Sequence, residues 1–189
     1  MPEDGVQDIQ DHYEMLGGAL GVLGPPSGIA APTPDGIGSS QDFERGSIHW
    51  LPTTGAHEVH GAIVGKWSEL GREGGILGYP LTDELAAPDA VGRFNHFERG
   101  SVYWTPLTGA HEVHGAIRTR WTELNWERGE LGYPTTDETD LPDGTYTVRV
   151  IVDGQHMIKE SNEDNNVATV KIQLTRSKVT VLEETATGL

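Results

Sequence analysis

The chain contains no cysteine. Disulfides, thiolate metal sites and thiol nucleophiles are excluded, and the redox compartment stays open. Basic residues are scarce, 13 Lys and Arg against 29 Asp and Glu, for a formal net charge of −16. A chain of that sign repels phosphate backbones and anionic lipid, so neither nucleic acid nor an acidic membrane surface is an expected partner. No apolar run approaches the roughly 20 residues that span a bilayer, so membrane insertion is not expected. The opening MPEDGVQDIQDHYEM is acidic and has no apolar stretch, and no signal peptide is expected in this chain. Hydrophobic residues make up only 35% of the 189, which is low for one large dense core. Glycine (25) and proline (11) are plentiful instead, so elements are short and turns frequent.

What the chain has is repetition. TGAHEVHGAI stands at 54–63 and again, letter for letter, at 108–117. The period is 54 and holds over three cycles: Ile9, Ile63 and Ile117 are in step, as are Tyr13, Trp67 and Trp121, and Leu16, Leu70 and Leu124. Gly24, Gly78 and Gly132 follow, each with proline two residues later. A repeat of this length implies one supersecondary unit per cycle, stacked on its neighbours. QDFERGSIHWLP at 41–52 and NHFERGSVYWTP at 95–106 read as hairpins, with Gly100 at the turn expected to supply a positive φ. GAIRTRWTEL places Ile117, Trp121 and Leu124 at i, i+4 and i+7, one apolar helical face. Helices are therefore expected over 9–20, 63–71 and 117–125, each stopped by a glycine-rich turn. Thr-Asp-Glu follows the proline at 82–84 and 136–138, where a turn cap through backbone N–H bonds is expected.

These residues carry a resemblance. The pattern from the helix tryptophan through LGYP (77–80 and 131–134; LGPP at 23–26) to Thr-Asp-Glu, and from Gly-Arg-Phe through the hairpin to Thr-Gly-Ala-His, resembles the LGFP repeat family over about residues 6–140. The resemblance implies an exported bacterial protein, extracellular or in the cell envelope, whose repeats hold attached enzymes to envelope polysaccharide. It implies binding rather than catalysis.

The repeated histidines raise the question of a metal. Zinc needs ligands that converge on one point. The metalloprotease spacing puts two histidines at i and i+4, whereas His57 and His60, like His111 and His114, are at i and i+3. If the segment is extended, His111 shares a face with Val113 while Glu112 shares the other with His114. No third ligand is signalled nearby, so no metal and no other cofactor is expected. His57, Glu58, His111 and Glu112 remain candidates for a ligand-facing polar surface repeated once per unit. Trp50, Trp104, His49 and Tyr103 lie on the hairpin strands, where one ring face can stack on a sugar while polar neighbours bind its hydroxyls. Burial in the core is an equally good reading of the two tryptophans.

After Glu138 the pattern stops. Tyr146, Val148, Val150 and Val152 alternate on one face of a strand, Asp153-Gly154 is a hairpin turn, Met157 to Lys159 pairs back, and Val167–Leu174 is a further strand. GTYTVRVIVD and ESNEDNN-x-A-T-V resemble the C-terminal half of a CARDB domain, an immunoglobulin-like sandwich of bacterial surface proteins. Glu160, Asn162, Glu163 and Asp164 have calcium-ligand chemistry, though Asn and Asp more often shape turns.

The expected fold class is α+β: tandem hairpin–helix repeats of 54 residues, then a small antiparallel β-sheet module. The expected domains are 1–140 (repeats), 141–175 (CARDB-like) and 176–189 (tail). The expected function is a non-enzymatic binding module for bacterial envelope polysaccharide. A structural or adhesion protein contacting other proteins is the second reading, and a metal-dependent hydrolase the third.

Overall fold

A computed structural model describes the protein at residues 5–138, 144–151, 167–175 and 178–186. The chain divides into two compact units, Met1–Glu138 and Thr139–Leu189. The first contains α1 (Val6–Met15), α2 (Gly61–Glu69) and α3 (Gly115–Glu123), alternating with two four-stranded sheets. One sheet is the antiparallel meander β1 (Ala31–Pro32), β2 (Ser39–Asp42), β3 (Gly46–Leu51), β4 (Gly55–His60). The other is its 54-residue counterpart, β5 (Leu85–Ala86), β6 (Arg93–His96), β7 (Gly100–Thr105), β8 (Gly109–His114). The fold is α+β with two tandem repeats. Each expected hairpin is the centre of a meander, and each helix begins two or three residues before its expected start and ends in a 3-10 turn.

The β2–β3 and β6–β7 turns are tight because the LGxP segment lies against them. Leu23 and Pro25 carbonyls accept from Arg45 and Glu44 N–H, and Leu77 and Tyr79 carbonyls accept from Arg99 and Glu98 N–H. The Arg45 side chain donates to the carbonyls of Gly21 and Val22, and Arg99 to those of Gly75 and Ile76. Gly46 and Gly100 do not have the expected positive φ. They are glycine because a Cβ would collide with the Val59 carbonyl and the Leu23 side chain in the first cycle, and with the Leu77 side chain in the second. Close approach, not turn chirality, sets the residue.

The buried apolar residues of this unit gather in successive clusters. Ile9, Tyr13, Leu23, Phe43, Ile48 and Trp50 form the first cluster; Val59, Ile63, Trp67, Leu77, Phe97 and Val102 form the second. α2 packs against β3 and β4 on one side and β7 and β8 on the other. Trp67 is fully buried there, its N–H donating to the Gly78 carbonyl at 3.0 Å. Among the described residues of this unit α3 has one such sheet, β7 and β8, which stand to it as β3 and β4 stand to α2. The apolar face expected of α3 is accordingly only half buried. Trp121 is 5% exposed, but Ile117 is 59% exposed where Ile63 is 1%, because the first unit has no further repeat sheet after α3 among the described residues.

The second unit contains the antiparallel sheet β9 (Gly144–Ile151), β10 (Val167–Thr175), β11 (Lys178–Ala186), paired in that order. β11 occupies Lys178–Ala186, within the segment 176–189 expected to be a tail. Asp153-Gly154, Met157–Lys159 and the calcium-type residues of 160–164 lie outside the described residues.

Candidate functional site

The two TGAHEVH copies are strands β4 and β8, and alternation along them turns Glu58 and Glu112 inward, 2% and 1% exposed. A buried carboxylate needs partners, and both copies have the same ones. Glu58 is bonded to the His60 imidazole at 2.7 Å and accepts the Glu84 N–H at 2.8 Å. Glu112 is bonded to His114 at 2.7 Å and accepts the Glu138 N–H at 2.7 Å, and the His114 N–H donates back to Glu138 at 2.7 Å. Beside them, Asp83 and Asp137 accept the strand N–H of Glu58 (3.0 Å) and Glu112 (3.3 Å).

Thr-Asp-Glu is therefore not a local turn cap. It crosses to the histidine strand and supplies the third group that spacing did not signal. The available clue was arithmetic: Glu58 to Glu84 and Glu112 to Glu138 are both 26 residues apart.

The two histidines of each copy diverge. His57 faces Asp83 at 3.5 Å while His60 faces Glu58. His111 meets Asp137 and the Thr108 carbonyl, while His114 meets Glu112. The hydrogen bond to Glu58 raises the His60 pKa against the opposing effect of burial, and burial raises Glu84. Donor atoms of Glu112, His114 and Glu138 lie within 4.8 Å of one another. A cation there would compete with hydrogen bonds those atoms already make.

The same Thr-Asp-Glu segments join cycle to cycle. His12 on α1 meets Asp83 at 2.9 Å, and Lys66, one period on, meets Asp137 at 2.9 Å. The LGYP tyrosines make a second bond. Tyr79 donates to Asp35 (2.8 Å) and meets Thr33 (2.7 Å), and Tyr133 donates to Asp89 (2.7 Å). Gly38 and Gly92 leave room for these rings. Pro25 stands at the tyrosine's place in LGPP, and no sheet precedes it among the described residues. The third contact is edge-to-face, His49 on Trp67 (4.6 Å) and Tyr103 on Trp121 (4.8 Å).

The first of these joints is sensitive to pH. The bond to Asp83 raises the His12 pKa against burial, with the charges of Asp83 and Glu58 adding. A raised imidazole contributes stability fully below its ordinary 6.5 and loses it as pH climbs through the raised value. Burial works to raise Asp83 too, but hydrogen bonds from His12, His57 and the Glu58 N–H hold it well below the carboxylate range. Its contribution is present above its ordinary 3.8 and lost as pH falls through the depressed value. Thermal stability should thus decline as pH rises above the ordinary imidazole value of 6.5, by up to ~1 kcal/mol for a partly exposed pair. His12→Lys, which copies Lys66, should flatten that decline, and an unchanged pH profile in the variant would refute the assignment.

Of the aromatic candidates, Trp50 is 6% exposed in the first core, its N–H donating to Asp8 at 2.6 Å, so it has almost no ring face to offer. His49 is buried, and burial, helped by the Arg72 charge, pushes its pKa down to about 3. Tyr103 is buried under Phe94 and Trp121. Trp104 is half-buried, packed against the second core. A half-buried aromatic that the sequence does not mark is Trp126, in the 3-10 turn after α3, 5.3 Å from the His96 ring.

The LGFP repeat model matches residues 23–75 and 77–129, more than half the chain. The chain belongs to the LGFP repeat family. Each matched stretch runs from LGxP through one sheet to the end of the next helix and its turn, so a family unit hands its helix to the core of the following unit. LGFP repeats are a module of cell-envelope-associated proteins. Neither match extends to the CARDB-like segment. No curated protein matches the chain. None of the helices described is long and apolar enough to cross a membrane.

Proposed function

We propose that this LGFP chain is a non-catalytic binding module that attaches its protein to an envelope polysaccharide. One observation carries the reading. In both copies the buried glutamate and its histidine are engaged with each other and with the Thr-Asp-Glu segment, so the repeated polar residues serve the scaffold. The rings that partly reach solvent, Trp104 and Trp126, are half-buried among hydrogen-bonding side chains, and such a ring edge or face holds sugars by stacking while polar neighbours bond to hydroxyls. The charge of −16 favours a neutral or basic polymer.

Co-sedimentation with purified insoluble envelope polysaccharides tests this. The intact chain should pellet with at least one neutral polymer, and EDTA should leave that binding unchanged; failure to pellet with any would end the reading. Trp104→Ala measures its half-exposed ring. If Trp104 is one of several linked contacts, the variant should lose affinity for long polymer far more than for a short oligosaccharide. A melting curve must accompany it, since a tryptophan that is chiefly core costs about 3–5 kcal/mol on truncation.

A second reading, adhesion to other proteins, is favoured by the open face of α3, where Ile117 (59% exposed) and Leu131 (60%) stand at positions buried in the earlier cycles. Large exposed apolar groups in one place mark contact surfaces. Co-sedimentation that survives stripping the envelope fraction of sugar, and fails after protease treatment, would select it.

A further inference from the structure

We infer that the cleft beside Trp126, which the first joint does not reproduce among the described residues, is a saccharide subsite that takes a single neutral sugar ring by stacking. The inference rests on the binding reading above. It begins with the turn that follows each helix. All three cycles place two successive residues in the left-handed region there: Gly17-Gly18, Gly71-Arg72 and Asn125-Trp126. Glycine is the unstrained residue for such a position, and the first cycle uses it twice. The third cycle uses it at neither, and puts a tryptophan at φ 56. A bulky residue held there is uncommon, and such outliers concentrate where a side chain is aimed at a ligand.

The ring so placed completes a cleft of about 260 Å³. Phe94, His96, Tyr103, Asn125, Trp126 and Arg128 line it. Phe94 stacks on Tyr103 at 4.8 Å, and Trp126 meets Trp121 edge-on at 5.5 Å, so the walls support one another. The Arg118 guanidinium lies 5.3 Å from the Trp126 ring and donates to Ser101, which steadies the indole. Burial and the Arg118 charge push His96 down to about 4, so it is a neutral hydrogen-bonding group at physiological pH.

The matching place in the first joint is filled by its own charges. Arg72 reaches Asp42 at 2.7 Å and His49 at 3.0 Å, and Glu73 stands 3.6 Å from His49. Asp42, His49 and Arg72 correspond, one period on, to His96, Tyr103 and Trp126. The exact duplication of the histidine segments therefore belongs to the scaffold, and the divergence between the joints belongs to recognition. Aromatic walls with an amide, an imidazole and a guanidinium among them suit the C–H face and hydroxyls of a sugar. The net charge of −16 disfavours a polyanion.

The test follows the indole N–H resonances of the whole chain by NMR during titration with neutral oligosaccharides derived from dextran, mannan, galactan and arabinan, and with oligogalacturonate as the anionic arm. At least one neutral oligosaccharide should shift the Trp126 indole, and Trp126→Arg should weaken its binding about tenfold or more. That variant is expected to fold, because Arg72 already occupies the same backbone conformation one period earlier. Trp126→Phe should retain most of the affinity. Binding undiminished in Trp126→Arg would overturn the subsite while leaving the polysaccharide reading intact. Tighter binding of oligogalacturonate would overturn the neutral class. A Trp126 indole unmoved by every oligosaccharide, in a chain that still pellets with a neutral polymer, would also overturn the subsite. A chain that neither shifts nor pellets would overturn the binding reading itself.

Discussion

Trp67→Ala is expected to be the most damaging single substitution in the repeat unit, lowering stability by about 3–5 kcal/mol. Trp67 is fully buried and touches three structures at once. Its ring meets His49 of β3 edge-on at 4.6 Å, lies 5.4 Å from Phe97 below the β6–β7 turn, and its N–H bonds to the Gly78 carbonyl. Truncation leaves a cavity between the two cores and strips the partner from a buried carbonyl. A loss of this size is a large share of the 5–15 kcal/mol typical of a domain. Because α2 packs against both sheets, the two cycles should melt together and earlier, in one transition. Trp121→Ala is the internal comparison. Its N–H bonds to Gly132 in the same way, but the far side of its helix is open, as the exposure of Ile117 shows, so its loss should be smaller. Thermal and urea denaturation of both variants would check this; equal losses, or a loss below about 1 kcal/mol for Trp67→Ala, would contradict the shared-core account.

Glu58→Ala should come next, at about 3 kcal/mol. The substitution leaves the Glu84 N–H and the His60 imidazole without the acceptor they share, in a place where Glu58 is 2% exposed. Glu58→Gln keeps an oxygen for the Glu84 N–H and nearly the same shape, and should cost only about 1 kcal/mol. Glu112→Ala should fall between them. Its partner His114 is more open to water, with 34% of the side chain exposed against 23% for His60. A catalytic or ligand-binding glutamate gives the opposite result, since removing a charge held in place for function commonly leaves the fold as stable or more so. Urea midpoints for the three variants therefore decide what the duplicated motif is for. A stability change under about 0.5 kcal/mol in Glu58→Ala would return the motif to the list of ligand-binding candidates.

How much of this was legible in one dimension varies with the range of the interaction. Ile9, Tyr13, Ile63 and Trp67 announce their helices by spacing alone, since a helical face is a local periodicity. Phe43 to Trp50 and Phe97 to Trp104 announce strands for the same reason. The glycine at 100 was legible as a constraint but not as a kind of constraint: the turn is local, whereas the Leu77 side chain that forbids a Cβ comes from another part of the unit. Trp126 was hidden because a tryptophan in a glycine-rich turn has no periodic partner to mark it.

The sequence by itself determined the repeat, its period, the α+β class and the family, because each depends on residue type at a fixed interval along the chain. Only the tertiary structure decided what the repeated histidines and glutamates do. Glu58 and Glu84 are 26 residues apart and belong to different elements, and it is the stacking of one cycle on the next that brings the Thr-Asp-Glu segment to the histidine strand. It also decided that the two joints differ. His49 with Arg72, and Tyr103 with Trp126, are each separated by 23 residues. Whether such a pair closes on itself or leaves a cleft depends on side-chain charge and volume meeting across the joint, which no interval along the chain encodes.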